Sequence, residues 1–259
     1  MCISIFMTKL LITSGCSFSE CISTTIDTWP RHLARELTDY EHKSYAMGSQ
    51  GNGLISRGII YGVNEALKTH KPEDILVGIM WSGTDRHDFR CTNPNLLKFV
   101  SDKVNNGWVE NPTKFVEDAR KHWVILNYGW ADTPNKEAEY YYRYFYDHVA
   151  SAIMTIEHIL RVQWFLQQRK IKYFFTTYTD KVFESEYIKH VEVNYLSNMI
   201  DFEHFLPVSS EYNWIINNSK YLNMLPNDYK KNNYHPATEM HKEFVDQVIM
   251  PWLSEKKFI

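Results

Sequence analysis

Residues 74–81 read DILVGIMW, a nearly continuous apolar run that is typical of a central strand covered on both faces. Residues 9–15, KLLITSG, indicate a second short buried strand, and residues 42–48, HKSYAMG, a weaker one. Apolar side chains recur at helical spacing between these strands, over residues 27–38 and 52–70. Because strand and helix alternate along the chain, we expect a parallel sheet with helices on both faces.

The rest of the chain continues this pattern after an interruption. Residues 82–137 carry Asn, Pro, Gly and Trp with little periodicity, and we interpret them as an insertion after the third strand that lids the site. The elements expected further along are a long helix around 145–160, a strand over 171–179, a helix over 185–199 and a closing helix over 238–252. We therefore predict a single three-layer α/β/α domain over residues 1–259, with a parallel sheet of about five strands.

The charge and hydropathy of the chain narrow the functional classes. A formal net charge of -3 gives no global basic field, so we expect neither nucleic acid nor a membrane as a partner. No window approaches 18 consecutive apolar residues, and the apolar start of the chain lacks the basic segment and cleavage site of a signal peptide. We therefore expect a cytoplasmic protein.

The cysteines and aromatic residues give weaker indications. The four cysteines, Cys2, Cys16, Cys21 and Cys91, show no CxxC spacing, so we expect reduced thiols and no structural zinc site. The sequence implies no metal and no organic cofactor. Aromatic residues make up 15% of the chain, which fits an aromatic-rich cleft and a tyrosine-heavy core equally well.

Four separated segments are expected at one edge of the sheet. Ser17, Gly51 and residues 81–86 each follow a predicted strand, and His235 lies just before the last helix. Ligands of open parallel sheets bind at the carboxyl ends of the strands. A serine becomes a nucleophile when a histidine takes its proton, and backbone N–H groups then face the developing oxyanion. We therefore predict a serine–histidine site at this edge.

These segments resemble the motif blocks of the SGNH hydrolase superfamily, also called GDSL-type esterases and lipases. Residues 12–19, ITSGCSFS, resemble the first block, with Cys16 in place of the usual aspartate. Residues 45–57, YAMGSQGNGLISR, resemble the second, residues 77–86, VGIMWSGTDR, the third, and residues 232–241, NNYHPATEMH, the last. The blocks occur in the family's order, and their spelling is closer to divergent phage and bacterial members than to typical lipases.

The resemblance implies a flavodoxin-like fold and a role for each matched residue. Ser17 would attack an ester carbonyl, and His235 would act as general base and then protonate the leaving alcohol. The amides of Ser17 and Gly51 would form two arms of the oxyanion hole. Thr84 falls where the family has an oxyanion-binding asparagine, and a threonine hydroxyl has a shorter reach. The neighbouring amide of Asn52 is the alternative donor.

A second departure from the family concerns the group that orients the histidine. Asn232 stands where the family has an aspartate, and an asparagine does not stabilise an imidazolium by charge. In a serine triad this replacement costs about 10⁴ in rate. Asp228 is the nearest upstream carboxylate and would substitute if its loop folds back. A weak enzyme, or one that has lost hydrolysis, is therefore compatible with the sequence.

Plainer interpretations of these residues stay open. Ser17 alone would be a turn serine that caps the next helix, and His235 a surface-loop histidine. Residues 85–88 are either a solvated loop with an internal ion pair or a substrate-binding group, of which Arg86 is the best candidate. Residues 139–146, EYYYRYFY, offer either stacking faces for sugars or the start of an amphipathic helix.

Two further side chains near the motifs are expected to be structural. We expect Cys16 to pack in the core, because successive side chains of an extended chain point to opposite sides. His241 is expected on the face of the last helix or as a support for the His235 loop.

The leading function is hydrolysis of a small-molecule or glycan ester through a Ser–His acyl-enzyme, with O-acetyl groups on carbohydrate as the preferred guess. The competing class is a non-catalytic glycan-binding or structural protein that keeps the SGNH scaffold, for which Asn232 and Thr84 argue. Acyl transfer to a sugar would use the same residues. A phage-encoded protein of this kind would be virion-associated or lie in the host cytoplasm.

Overall fold

The computed structural model describes residues 8–20, 26–93, 112–128, 136–179, 183, 185–222 and 235–259. Its strands are β1 (Lys9–Ser14), β2 (Tyr40–Ser44), β3 (Ile75–Trp81), β4 (Arg86–Arg90), β5 (Trp123–Asn127) and β6 (Lys172–Thr177). β1, β2, β3 and β6 form a parallel sheet in the order β2-β1-β3-β6, and β4 and β5 pair antiparallel in a second, two-stranded sheet.

Helices surround the parallel sheet. In chain order they are α1 (Trp29–Glu36), α2 (Asn52–Ala66), α3 (Lys114–His122), α4 (Lys136–Tyr144), α5 (His148–Gln168), α6 (Ser185–Ile188), α7 (Val191–Ser197), α8 (Glu211–Asn218), α9 (Thr238–Phe244) and α10 (Met250–Glu255). Short 3-10 turns occupy Pro72–Asp74 and Phe202–His204. A π-helical segment, Val245–Ile249, joins α9 to α10.

Alternation along the buried strands creates two hydrophobic cores. All seven residues of β3 are buried. Val77 and Ile79 pack in a core with residues of α2 and α5, whereas Leu76 and Met80 pack in a core with residues of α1, α9 and the π-helical segment. Because successive strand side chains point to opposite faces, a continuous apolar run needs helices on both sides. The expected parallel sheet flanked by helices is confirmed.

The described sheet has four strands rather than the expected five. Beyond β6, residue Phe205 forms a single parallel bridge with Phe175, and the Leu206 amide donates to the Phe175 carbonyl at 2.9 Å. The ladder does not extend because Pro207 has no N–H to donate and residues 202–204 are wound into a 3-10 turn. Within the described chain, the segment that lies beside β6 therefore pairs with it through a single β-bridge.

The described part of residues 82–137 is more regular than the sequence suggested. It contains β4, α3 and β5, with Arg86 opposite Asn127 and Arg90 opposite Trp123. β4 and β5 are short and are formed by pairing with each other across a long separation in the sequence, so they give no clear local pattern. The helix expected over 185–199 is divided into α6 and α7, and the closing helix is interrupted by the π-helical segment.

Candidate active site

Ser17 lies in a tight turn directly after β1. The Cys16 carbonyl accepts hydrogen bonds from the amides of Ser19 and Glu20, both at 2.9 Å, which closes the turn around Ser17. Ser17 is partly exposed, whereas Cys16 and Phe18 on either side are buried. A Cβ on Gly15 would collide with the side chain of Ser19 and lie 3.0 Å from the carbonyl oxygen of Met80. The turn therefore needs glycine at this position to present Ser17.

The structure brings Ser17 and His235 together. The Nε2 atom of His235 lies 2.6 Å from the Oγ atom of Ser17, although 218 positions separate the two residues. The Phe18 ring packs against the imidazole at 5.1 Å between centroids. Burial, and then electrostatic interaction with His241 and Arg86, lower the pKa of His235 to about 4. The imidazole is therefore neutral at pH 7 and able to accept the serine proton.

The group that would orient His235 is not among the described residues. Asn232 and its alternative, Asp228, both lie outside the described ranges. No described side chain is hydrogen-bonded to Nδ1 of His235. What the structure shows at this site is accordingly a serine–histidine pair.

His241 belongs to a separate buried pair. Its Nδ1 lies 2.7 Å from Oε1 of Glu211 at the start of α8, and both side chains are almost fully buried. The edge of the His241 ring faces Phe18, with 6.4 Å between centroids. The Phe18 ring therefore contacts both His241 and His235. No local pattern indicates Glu211, because it lies in a stretch of sequence without clear periodicity.

Gly51 is not free to serve as an oxyanion donor in this arrangement. Its amide donates to Oδ1 of Asp88 at 2.9 Å, and the amide of Leu54 donates to Oδ2 of the same carboxylate at 2.8 Å. Asp88, on β4, thereby caps the first turn of α2. Burial outweighs these two hydrogen bonds and raises the pKa of Asp88 to about 6. Of the two interpretations of residues 85–88, the solvated loop does not hold for Asp88, whose partly buried carboxylate supports the start of α2.

Asn52 is also committed to the framework. Its Nδ2 donates to the Ser82 carbonyl at 3.0 Å and to the Thr155 hydroxyl at 3.2 Å, and its Oδ1 accepts from the Ser82 amide at 2.8 Å. These bonds tie the loop after β3 to α2 and α5. The side-chain amide that we expected as an alternative oxyanion donor is therefore engaged.

Arg86 is the one cation that the structure places against the Ser17 turn among the predicted site residues. Its guanidinium lies 5.0 Å from the centre of the Tyr178 ring and interacts with the buried thiol of Cys16. Its Nε and Nη1 atoms are buried and have no described hydrogen-bond partner. Thr84, two positions earlier, is buried and lines a cavity together with Arg86. Cys16 is buried as expected.

Glu20 is a site residue that the sequence analysis missed. Its fully buried carboxylate accepts from the amide of Gly48 and from the guanidinium of Arg120 on α3. Burial outweighs both contacts and raises the pKa of Glu20 to about 7. Glu20 thus ties the Ser17 turn to the loop before α2. Its position three residues after Ser17 was the available signal, but nothing local indicates that a glutamate is buried.

The aromatic stretch at residues 139–146 is divided between burial and exposure. Tyr142 is buried, and its hydroxyl donates to the Asp85 carbonyl at 2.6 Å. Tyr140 and Tyr144 are exposed on α4, and their rings stack at 6.0 Å between centroids. The stretch is therefore helical at its start, and only part of it faces solvent.

Comparisons with known proteins add no assignment: no family model, no curated protein and no solved structure matches the chain. Within the described ranges, no helix combines the length and apolar character that crossing a membrane requires. The described side chains also include no group of three or more His, Cys, Asp or Glu residues arranged to hold a metal ion.

Proposed function

We propose that the protein is a serine esterase of the SGNH hydrolase type, in which Ser17 and His235 form the catalytic pair. The observation that carries this proposal is the 2.6 Å separation of Ser17 Oγ and His235 Nε2 at the carboxyl edge of a parallel sheet. A neutral imidazole at hydrogen-bond distance from a partly exposed serine is the arrangement that nucleophilic catalysis requires.

The reaction would proceed in two steps. The Ser17 proton passes to His235 Nε2 as Oγ attacks the ester carbonyl, and the imidazolium then protonates the departing alcohol. Water, deprotonated by the same imidazole, then attacks the acyl-enzyme carbonyl, and the imidazolium returns the proton to Ser17 Oγ as the bond to Oγ breaks and the acid is released. Positive charge on His235 is disfavoured first by burial and then by His241 and Arg86, so its formation is the costly part of each step.

Arg86 would stabilise the oxyanion through its positive charge. The Gly51 and Asn52 donors are engaged elsewhere, and the guanidinium of Arg86 adjoins the Cys16 thiol next to Ser17. A preorganised positive group near the developing negative charge stabilises the tetrahedral intermediate, together with the Ser17 amide. Tyr178, which lies beside Phe18 at 5.2 Å between ring centroids, supplies an aromatic face, so O-acetylated carbohydrate is the substrate class we favour.

The experiment is hydrolysis of a short aryl acetate by the wild-type protein, the Ser17→Ala variant and the matched control Ser254→Ala. Ser254 is exposed on α10. We expect Ser17→Ala to lower kcat/KM by about 10³-fold or more and to abolish covalent labelling by a fluorophosphonate, while Ser254→Ala retains both. Equal rates in the wild type and Ser17→Ala would exclude the serine mechanism.

A second candidate is a glycan-binding protein that keeps the scaffold without hydrolysis. The engagement of the Gly51 amide by Asp88 and of the Asn52 amide by Ser82 and Thr155 favours it, because these groups then do not face an oxyanion. Saturable binding of an O-acetylated oligosaccharide, with neither turnover nor fluorophosphonate labelling in the wild type, would establish this alternative.

A further inference from the structure

A small cavity lined by residues of β4, α2 and α5 contains several charged side chains. Its volume is about 140 Å³, and neither Ser17 nor His235 lines it. Its walls include Thr84 and Arg86, and also Arg57 and His158, which the sequence analysis did not single out. Ligand pockets for drug-sized molecules measure about 300–1,000 Å³, so this cavity admits only a small group.

Polar atoms converge on the cavity above Gly53, in the first turn of α2. A Cβ placed on Gly53 would meet Nη1 of Arg57 at 2.8 Å, Oδ2 of Asp88 at 3.0 Å and Nε2 of His158 at 3.4 Å. The guanidinium of Arg57 is held in place by the ring of Trp123, 4.9 Å below it. The absence of a Cβ at Gly53 therefore lets the Arg57 guanidinium pack directly against the first turn of α2, beside the His158 imidazole.

The contacts of His158 make its Nε2 a hydrogen-bond donor. Nη2 of Arg161 lies 3.0 Å from Nδ1 of His158, and a guanidinium only donates, so Nδ1 accepts. The proton of the neutral ring is consequently on Nε2, toward the cavity. Burial, followed by the charges of Arg161 and Arg57, lowers the pKa of His158 to about 4, which keeps the ring neutral at pH 7.

Among the charged side chains at the cavity, hydrogen-bond donors outnumber acceptors. Each oxygen of Asp88 accepts one backbone amide, from Gly51 and from Leu54, and the carboxylate also interacts electrostatically with Arg57 and Arg86. Nε and Nη1 of Arg86 are buried without a described hydrogen-bond partner. Among the described residues that line the cavity, the two arginines, Arg57 and Arg86, share it with a single carboxylate, that of Asp88. Unsatisfied buried donors are costly, and a bound acceptor is one way to satisfy them.

We propose that this cavity binds the oxyanionic group, phosphate or carboxylate, of a small ligand. Arg57 and Arg86 supply the positive charge, and Nε2–H of His158 supplies a neutral donor. A guanidinium pairs with both kinds of anion through parallel N–H groups. Arg86 is shared with the proposed ester hydrolysis, whereas Arg57 and His158 belong to this cavity alone, so Arg57→Gln tests anion binding separately from hydrolysis.

The test is isothermal titration calorimetry with inorganic phosphate and, separately, with acetate, at constant ionic strength set by chloride. We expect saturable binding of at least one anion by the wild-type protein. Arg57→Gln should weaken it by roughly tenfold to a hundredfold, because a charge-assisted hydrogen bond is lost. The preferred anion identifies whether the natural ligand carries a phosphate or a carboxylate.

Arg169→Gln is the matched control, since Arg169 lies at the C-terminal end of α5 over the ring of Phe165. It should bind the anion as the wild type does. His158→Gln is a second variant, with a smaller expected loss, and thermal unfolding of each variant verifies that it folds. The proposal is wrong if neither anion binds saturably, or if Arg57→Gln and Arg169→Gln bind with the same affinity as the wild type.

Discussion

The carboxylate of Asp88 lies 2.9 Å from the amide nitrogen of Gly51 and holds the start of α2. A second buried carboxylate, Glu20, accepts the amide of Gly48 on the other side of the same loop. Both glycine amides of the loop that precedes α2 are therefore engaged by side chains from other parts of the chain. This loop is fixed from two sides, and the stabilisation of an oxyanion at Ser17 falls to other groups.

Replacing Asp88 should destabilise the fold. Asp88→Ala leaves the amides of Gly51 and Leu54 buried without an acceptor, so we expect the free energy of unfolding to fall by roughly 1–3 kcal/mol. Urea denaturation measures this. The control is Asp118→Ala, an exposed aspartate on α3, which should change stability by less than about 0.5 kcal/mol. Equal stability of the two variants would contradict the capping role.

The ionisation of Glu20 should make stability depend on pH. Burial raises the pKa of Glu20 from 4.5 to about 7. The stabilising contribution of protonated Glu20 to the free energy of unfolding is therefore fully present below pH 4.5 and is lost as the pH rises through 7. Glu20→Gln does not ionise, and its stability relative to the wild type should increase between pH 5 and pH 8 by up to about 3 kcal/mol.

Denaturant unfolding at the two pH values tests this expectation for Glu20→Gln, with the exposed Glu239→Gln on α9 as the reference. If the free energies of unfolding of Glu20→Gln and the wild type differ by the same amount at pH 5 and at pH 8, burial does not raise the pKa of Glu20.

Ester hydrolysis should remain active in mildly acidic solution. The base must be unprotonated, and burial, His241 and Arg86 lower the pKa of His235 to about 4. The rate should therefore rise with pH around a midpoint near 4, well below the ordinary histidine value of about 6.5. The profile of kcat/KM against pH measures the midpoint for the free enzyme. A midpoint at the ordinary value would show that His235 is solvated during the reaction.

Removing the charge of Arg86 should alter both the rate and the pH profile. We expect Arg86→Gln to lower kcat by about 10²-fold or more, as loss of an oxyanion donor does. The acid midpoint should also move to higher pH, because Arg86 contributes to the lowered pKa of His235. Arg90→Gln, an exposed neighbour on β4, should change neither quantity. A rate loss without a shifted midpoint would point to a purely structural role.

Local patterns were sufficient for the main elements of the fold. β1, β3 and β6 appear as apolar runs, and α2 and α5 as helical repeats, because a strand or helix buried in this way needs apolar side chains at a fixed local spacing. The short strands β4 and β5 and the single bridge at Phe205 were missed, since they depend on pairing with distant residues.

The sequence by itself determined the kind of chain: alternating strands and helices, with a serine and a histidine expected at one edge of a parallel sheet. Only the tertiary structure decided that Ser17 and His235 lie 2.6 Å apart, and that Glu20 and Asp88 are buried on the Gly48 and Gly51 amides. The physical reason is that burial of a charged side chain depends on what packs around it. A glutamate or aspartate looks the same in the sequence whether it is solvated or enclosed.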